Sequence, residues 1–167
     1  LSMNLAGDYA KACHERIHIN LMKELGVKPL VTIDNHHNFA WKEQLADGRE
    51  VIVHRKGATP AHKGTWGIIP GSMTAPAYLV RGKGAPLSLN SASHGAGRAM
   101  SRQKARSQMT GSALKKMLST AGVKLIGGSV EENPNAYKDI EQVIAAQGEL
   151  IDVNGKFYPK IVRMHKE

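Results

Sequence analysis

The chain has 167 residues, 41% of them hydrophobic and 22% charged; that is long enough to bury roughly 70% of the unfolded surface in one domain and too apolar to be disordered. Aromatic residues make up only 5% and there is one cysteine, Cys13, which excludes a broad base-stacking platform, an intrachain disulfide and a CxxC zinc site. The net charge of +9 favours an anionic partner, nucleic acid ahead of an anionic membrane, with a merely basic soluble protein as the plain alternative.

Residues 3–25 place Leu5, Ala6, Tyr9, Ala10, Cys13, Ile17, Leu21 and Leu25 at close to helical spacing, predicting an amphipathic helix that Gly26 and Pro29 stop. Cys13 is expected there as a small core residue and His14 as an exposed one. Leu30–Ile33 predicts a buried strand ending in the polar cluster Asp34-Asn35-His36-His37-Asn38. Glu50–His54 predicts another strand. The stretch 57–97 is dense in Gly, Pro, Ser and Ala but carries apolar runs at Ile68-Ile69 and Tyr78-Leu79-Val80, so it is expected to form strands joined by tight loops.

Helices are expected over Arg98–Gln108 and Ser112–Thr120, the second followed by Gly122. Lys124–Ile126 predicts a strand, Glu131–Asn135 an acidic, turn-rich loop, and Asp139–Gln147 a helix with Ile140, Val143 and Ile144 on one face. Leu150–Val153 and Ile161–Met164 predict a terminal hairpin about Asn154-Gly155, a strong turn pair. With no repeat, low-complexity tract or clear linker, residues 1–167 are expected to form a single α+β domain with mixed, largely antiparallel sheets and flanking helices. No stretch reads as a secretory signal or a bilayer span, so a cytoplasmic location and no membrane partner are expected. The opening Leu1-Ser2 suggests a fragment or a processed product.

The densest chemistry lies in Ser93-His94-Gly95-Ala96-Gly97-Arg98-Ala99-Met100-Ser101-Arg102. Gly95 and Gly97 clear space beside an imidazole, so an anion can approach the backbone. Arg98 and Arg102, four apart, would share a face of a helix beginning here, and both guanidinium forks and helix N-termini suit phosphate. His94 thus reads as a nucleophile or ligand facing a phosphorylated substrate; a glycine-rich turn with solvated arginines is an equal alternative. His36-His37 offers imidazole to a transition metal, with one of the two facing the site. Arg55 and Lys56 end a strand in a basic loop suited to phosphate or simply to solvent. Pro70-Gly71-Ser72-Met73 offers backbone amides and a hydroxyl to a ligand, or forms a type II turn with Pro70 and Gly71 central. No Walker A, GxSxG or HExxH pattern occurs. Met100, Met109 and Met117 read as core filler.

In order, His37-Asn38, Arg55-Lys56-Gly57-Ala58, Ile69-Pro70-Gly71-Ser72-Met73, His94-Gly95-Ala96-Gly97-Arg98, Met100-Ser101-Arg102, Ala136-Tyr137-Lys138-Asp139 and the terminal Lys166 resemble the RtcB family of RNA-splicing ligases, in its C-terminal portion. The HGAGR and PGSM segments in that order are highly specific, and the likeness runs over nearly the whole chain.

The resemblance implies GTP- and Mn²⁺-dependent joining of an RNA 3′-phosphate or 2′,3′-cyclic phosphate to a 5′-hydroxyl end. It implies that His94 attacks the GTP α-phosphate and carries GMP, and that His37 is a metal ligand beside the nucleotide. Asn38, Pro70, Gly71, Ser72, Met73, Gly95, Ala96, Gly97, Tyr137 and Lys166 match nucleotide contacts, with Lys166 reading the guanine edge and Tyr137 lying near the base. Arg98 and Arg102 match positions for RNA or nucleotide phosphates, a role for which the basic loop also makes Arg55 and Lys56 candidates. Thr74 and Ala77 depart from the family's more frequent glycine and serine; losing that hydroxyl removes one hydrogen bond of about 0.5–1.5 kcal/mol.

The family segment that supplies an aspartate, a cysteine and two further histidines to the metals is not matched, and the context of Cys13 does not replace it. Tight binding of two metals by this chain alone is therefore not expected. Expected partners are RNA, the unmatched N-terminal portion as a separate chain, and further copies of this chain through surface that portion would cover. The competing reading is a non-catalytic nucleotide- or RNA-binding remnant; a third is a folded basic domain with a vestigial site.

Overall fold

The computed structural model describes residues 2–36 and 38–164. Among the described residues it is an α+β arrangement of small sheets and four α-helices, with no closed barrel. Helix α1 (Ser2–Leu25) leads into an extended segment and then the hairpin β1 (Asn38–Gln44)–β2 (Glu50–Lys56). The hairpin's antiparallel register sets Asn38 opposite Lys56. β3 (Ala58–Pro60) pairs antiparallel with β6 (Ser91–Ser93). β4 (Trp66–Pro70), β5 (Ala77–Gly82) and β8 (Ile151–Phe157) form a three-stranded antiparallel sheet. α2 (Arg102–Gln108), α3 (Gly111–Thr120) and β7 (Lys124–Gly127) follow β6, and α4 (Ile140–Ala145) precedes β8. β9 (Ile161–Arg163) pairs parallel with β7.

Two apolar clusters carry the packing. Ile69, Tyr78 and Val80 of the three-stranded sheet bury against Ala92, Ala96, Ile140 and Ile151, with Val143 and Ile144 of α4 packed alongside. Thus the expected apolar face of α4 is the one that seats it, and Asp139 caps it by accepting from the Glu141 amide. The second cluster joins Met73 to Leu114 and Leu118 of α3 and to Val123, with Val162 and Met164 against it. Met73 leaves the first sheet and enters the second cluster, so the 70–76 loop bridges the two.

Several expectations are corrected. Leu30–Ile33 is not a strand: Leu30 and Val31 are exposed, and the segment has no ladder partner among the described residues. An apolar run becomes a strand only when another strand takes its amides and carbonyls. The helix expected from Arg98 begins at Arg102, because Arg98 is held in an antiparallel bridge with Tyr137 and Ser101, extended at φ −66° and ψ 158°, caps α2 through the Lys104 amide. Arg98 and Arg102 therefore do not share a helix face.

The terminal hairpin does not form either. Asn154 and Gly155 lie inside β8, where the register skips Asn154 between the pairs Leu79–Gly155 and Val80–Val153; the turn pair serves as a bulge. Pro70 ends β4, and Gly71 lacks the positive φ of a type II turn. On α1 the apolar stripe faces outward: Tyr9, Ile17, Leu21 and Leu25 are exposed, Cys13 is only half-buried, and Gly7 alone is buried, against the Phe39 ring. His14 is exposed as expected, 3.6 Å from Asp34.

Arg55 is the largest correction. Its side chain is 2% exposed, not free at a strand end. The fork meets Glu43 at 2.6 and 3.1 Å, Nε donates to Ser91 Oγ (2.8 Å) and Nη2 to the Leu89 carbonyl (2.7 Å), and the guanidinium lies 4.9 Å from the Trp41 ring centroid. It ties the β1–β2 hairpin to the turn before β6 and is buried out of reach of a phosphate ligand.

Two outcomes follow from that pair. Arg55→Met strands the Glu43 carboxylate and is expected to lower stability by about 3 kcal/mol, measured by urea denaturation, with Glu43→Leu/Arg55→Met recovering part of the loss. Burial raises the Glu43 carboxyl, but the Arg55 fork and charge, with His62 beside it, outweigh burial and hold the group below its usual 4.5. A carboxyl lowered on folding adds stability above its unfolded value and loses it as pH falls through the folded one. The melting temperature should therefore drop below about pH 4.5, and Glu43→Gln should flatten that part of the profile.

Candidate nucleotide site

The site is built where the two apolar clusters meet. β6 ends at Ser93, whose amide donates to Gln147 Oε1 (2.6 Å) and whose hydroxyl donates to the Gly95 carbonyl (2.6 Å). These bonds turn the chain sharply and bring out His94, which is half-buried. Its amide reaches the Gly57 carbonyl (3.4 Å). Gly57, at φ +73°, lies beside the imidazole, where a Cβ would stand 3.8 Å from Cε1 and Nδ1. That left-handed corner between β2 and β3 is reserved for glycine, which gives the Arg55-Lys56-Gly57-Ala58 motif its physical meaning: Arg55 anchors the hairpin beneath and Gly57 seats the imidazole.

The loop after His94 is pinned on both sides. The Ala96 amide donates to the Pro70 carbonyl (2.9 Å); the Ala99 amide donates to Ala136 (2.8 Å), and the Lys138 amide to Gly97 (2.9 Å). Opposite, the Gly71 amide closes the 71–76 loop on the Pro76 carbonyl (3.0 Å), and a Cβ at Gly71 would meet that carbonyl at 2.5 Å. Ser72 Oγ accepts from the Ala75 amide (3.2 Å), which leaves its own proton to donate toward a ligand.

Between these loops opens a cavity of about 550 Å³, a size that suits a nucleotide-sized ligand. Pro70, Gly71, Ser72, Met73, His94, Gly95, Ala96, Gly97, Arg98, Arg102 and Tyr137 all line it, so eleven residues singled out in the sequence converge on one wall-to-wall space. Asn38 and Lys56, exposed and opposite each other in the β1–β2 register, stand next to Gly57 but do not line the cavity. Arg55 is buried elsewhere, as described. His37 and Lys166 lie outside the described residues.

Glu132, Val162 and Met164 also line the cavity and were not singled out from the sequence. Glu132 had a signal: the acidic pair Glu131-Glu132 in a basic chain. It accepts from Arg98 Nη1 (3.1 Å) and from the Tyr137 phenol, while Arg102 Nε stands 3.5 Å away. Burial, then the hydrogen bond to Glu132 and its charge, push the Tyr137 phenol up to about 12 against the opposing Arg98. The phenol is therefore neutral at ordinary pH and serves as a donor. The cavity thus has an imidazole and a hydroxyl at one side, amides of glycine-rich loops along it, and an arginine–carboxylate–phenol wall at the other.

Among the described residues no three His, Cys, Asp or Glu side chains converge as a metal cage, and no helix is long and apolar enough to cross a membrane. The described residues alone therefore do not fit a bound metal.

Comparison with known proteins gives the same picture as the motifs. The family model described as tRNA-splicing ligase RtcB matches residues 2–164. The RNA-splicing ligase RtcB of Escherichia coli K12 is 47% identical over 123 residues, covering 72% of this chain and 29% of the relative. The tRNA-splicing ligase RtcB of Nanoarchaeum equitans is 39% identical over 142 residues (72% and 30%), and that of Methanocaldococcus jannaschii 38% over 135 residues (68% and 14%). The chain spans less than a third of the length of these relatives. With the motif residues gathered on one cavity and the family model matched from end to end of the described chain, this protein belongs to the RtcB family.

Proposed function

We propose that the cavity takes the guanine nucleotide of an RNA ligase reaction, and that the chain carries the nucleophile of a GTP- and Mn²⁺-dependent ligase joining RNA 3′-phosphate or 2′,3′-cyclic phosphate ends to 5′-hydroxyl ends. The observation that supports this most strongly is His94: an imidazole seated on Gly57 at the edge of a nucleotide-sized cavity whose walls are glycine-rich backbone. The relatives' names, RNA-splicing and tRNA-splicing ligase, agree with it.

In this reading one nitrogen of His94 attacks the α-phosphorus of GTP. A P–N bond forms, the bond to the bridging oxygen breaks, and pyrophosphate leaves. A neutral imidazole is a competent nucleophile at ordinary pH. The terminal oxygen of an RNA 3′-phosphate then displaces His94 from the GMP phosphorus, restoring the imidazole. Finally the RNA 5′-hydroxyl attacks the activated 3′-phosphate, gives up its proton to solvent, and GMP departs.

The chain's own contribution is position and charge. The Ser72 hydroxyl and the amides of Ser72, Met73 and Gly97 hold phosphate oxygens, and Arg102 at the mouth compensates the charge that builds on them. Tyr137 packs near the base. Mn²⁺, when bound, would neutralise phosphate charge and orient the attack; His37 is the residue of this chain that matches a ligand position in the family motif.

Intact mass of the chain after incubation with GTP and Mn²⁺ tests the reading. A GMP-sized gain that disappears in His94→Ala is expected, from the chain alone or together with the N-terminal portion of a relative. A folded, nucleotide-bound complex that gains no mass would instead mark a non-catalytic nucleotide-binding module. Single-stranded RNA should bind with steep salt dependence, and Arg102→Gln should lower the slope of log K against log salt by about 0.7, the value of one lost phosphate contact.

A further inference from the structure

Arg98 lines the cavity, yet three of its five N–H donors are spent on the protein, at least one from each nitrogen. Nε donates to the Met100 carbonyl (3.1 Å), Nη1 to the Glu132 carboxylate (3.1 Å) and Nη2 to the Glu131 carbonyl (2.7 Å). The guanidinium carbon lies 5.3 Å from the centroid of the Tyr137 ring. The fork is thus engaged in three directions and covered on one face. Glu132, held by Arg98, accepts a hydrogen bond from the Tyr137 phenol, and the backbones of Arg98 and Tyr137 pair as an antiparallel bridge. The result is a closed circuit: loop 97–100, segment 131–132 and the Tyr137 ring fix one another through a single guanidinium.

Arg102 has a different environment. Its side chain is 69% exposed and its carboxylate neighbours stand at 3.5 and 3.7 Å, both reached from Nε. Long, exposed pairs of that kind exchange partners at little cost. Turning the whole fork of Arg98 onto a phosphate would break its bonds to two carbonyls and leave the half-buried Glu132 carboxylate short of its charged partner.

We propose that Arg98 is a positioning residue, clamping Glu132 and Tyr137 into the wall that receives the nucleoside, and that the phosphate is met by Arg102. This deepens the reading of the cavity as a guanine-nucleotide site and rests on it. The clamp needs the planar fork, because three acceptors and a ring face are served at once; a lysine ammonium has no plane to lay on the ring.

Equilibrium binding of guanosine and of GMP to the full chain separates the two roles. Arg98→Gln and Arg98→Lys are expected to weaken both ligands about tenfold, or 1.4 kcal/mol, because the nucleoside wall serves both. Arg102→Gln is expected to weaken GMP and leave guanosine unchanged. An Arg98→Gln variant that loses GMP affinity but keeps guanosine affinity would make Arg98 a phosphate ligand and overturn the proposal.

Amide hydrogen exchange gives a readout that needs no ligand. Protection of the Ala99 and Lys138 amides should fall in Arg98→Gln and stay intact in Arg102→Gln, with the amides of β4 and β5 unchanged as the control for folding. Unchanged protection in Arg98→Gln also overturns the clamp. If the wild-type chain binds neither guanosine nor GMP while Arg98→Gln still loses protection, the nucleotide reading falls and the clamp stands.

Discussion

The main-chain stitching of residues 94–99 is the constraint on which the rest of the site depends. His94 bonds to Gly57, Ala96 to Pro70, Ala99 to Ala136, and Lys138 returns a bond to Gly97. These contacts join the first hairpin, the three-stranded sheet and the segment before α4, which are far apart along the chain. A segment of mostly small residues has little side-chain area to pack, so its position is set by backbone donors and acceptors satisfied at both edges. The cavity exists because this ribbon and the 70–76 loop are each held from behind and cannot collapse onto one another.

Charge is distributed according to the same logic. The chain carries +9, yet two of its arginines in functional motifs are internal fasteners. Arg55 and Arg98 each serve a carboxylate, a backbone carbonyl and an aromatic face at the same time. Only a planar guanidinium can satisfy that geometry. The basic surplus available to an anionic ligand therefore resides on exposed groups such as Lys56 and Arg102, and a count of basic residues in the motifs overstates the number of phosphate contacts.

The parts of the fold legible in sequence were those with local physical causes. α1, α3 and α4 follow helical spacing and stop signals, and β2, β4 and β5 follow short apolar runs between turn residues. The parts that were not legible depend on partners distant in the chain. Asn154-Gly155 is a turn pair only in isolation; once β5 lies alongside, it becomes a bulge in one continuous strand. Leu30–Ile33 has a strand's composition but no neighbour to pair with among the described residues. Eleven residues of the motifs meet at one cavity, because the glycine- and histidine-containing motifs specify local backbone paths. Glu132 escaped because an acid in a loop declares its role only when its arginine and phenol are seen around it.

Helix α1 differs from everything else in the molecule. Its 24 residues extend for about 36 Å at 1.5 Å per residue, while its one buried residue, Gly7, rests on Phe39 near one end. Helical propensity alone is a weak support for a segment attached at so few points. Its free energy of opening is thus set by that one seat and not by the global stability, which makes α1 a separate cooperative unit. It can detach, exchange or be trimmed while the stitched sheets and the cavity behind them remain assembled, and because Phe39 follows directly on Asn38, whatever grips the outward stripe of α1 also pulls on the strand paired with Lys56, next to Gly57 and the imidazole.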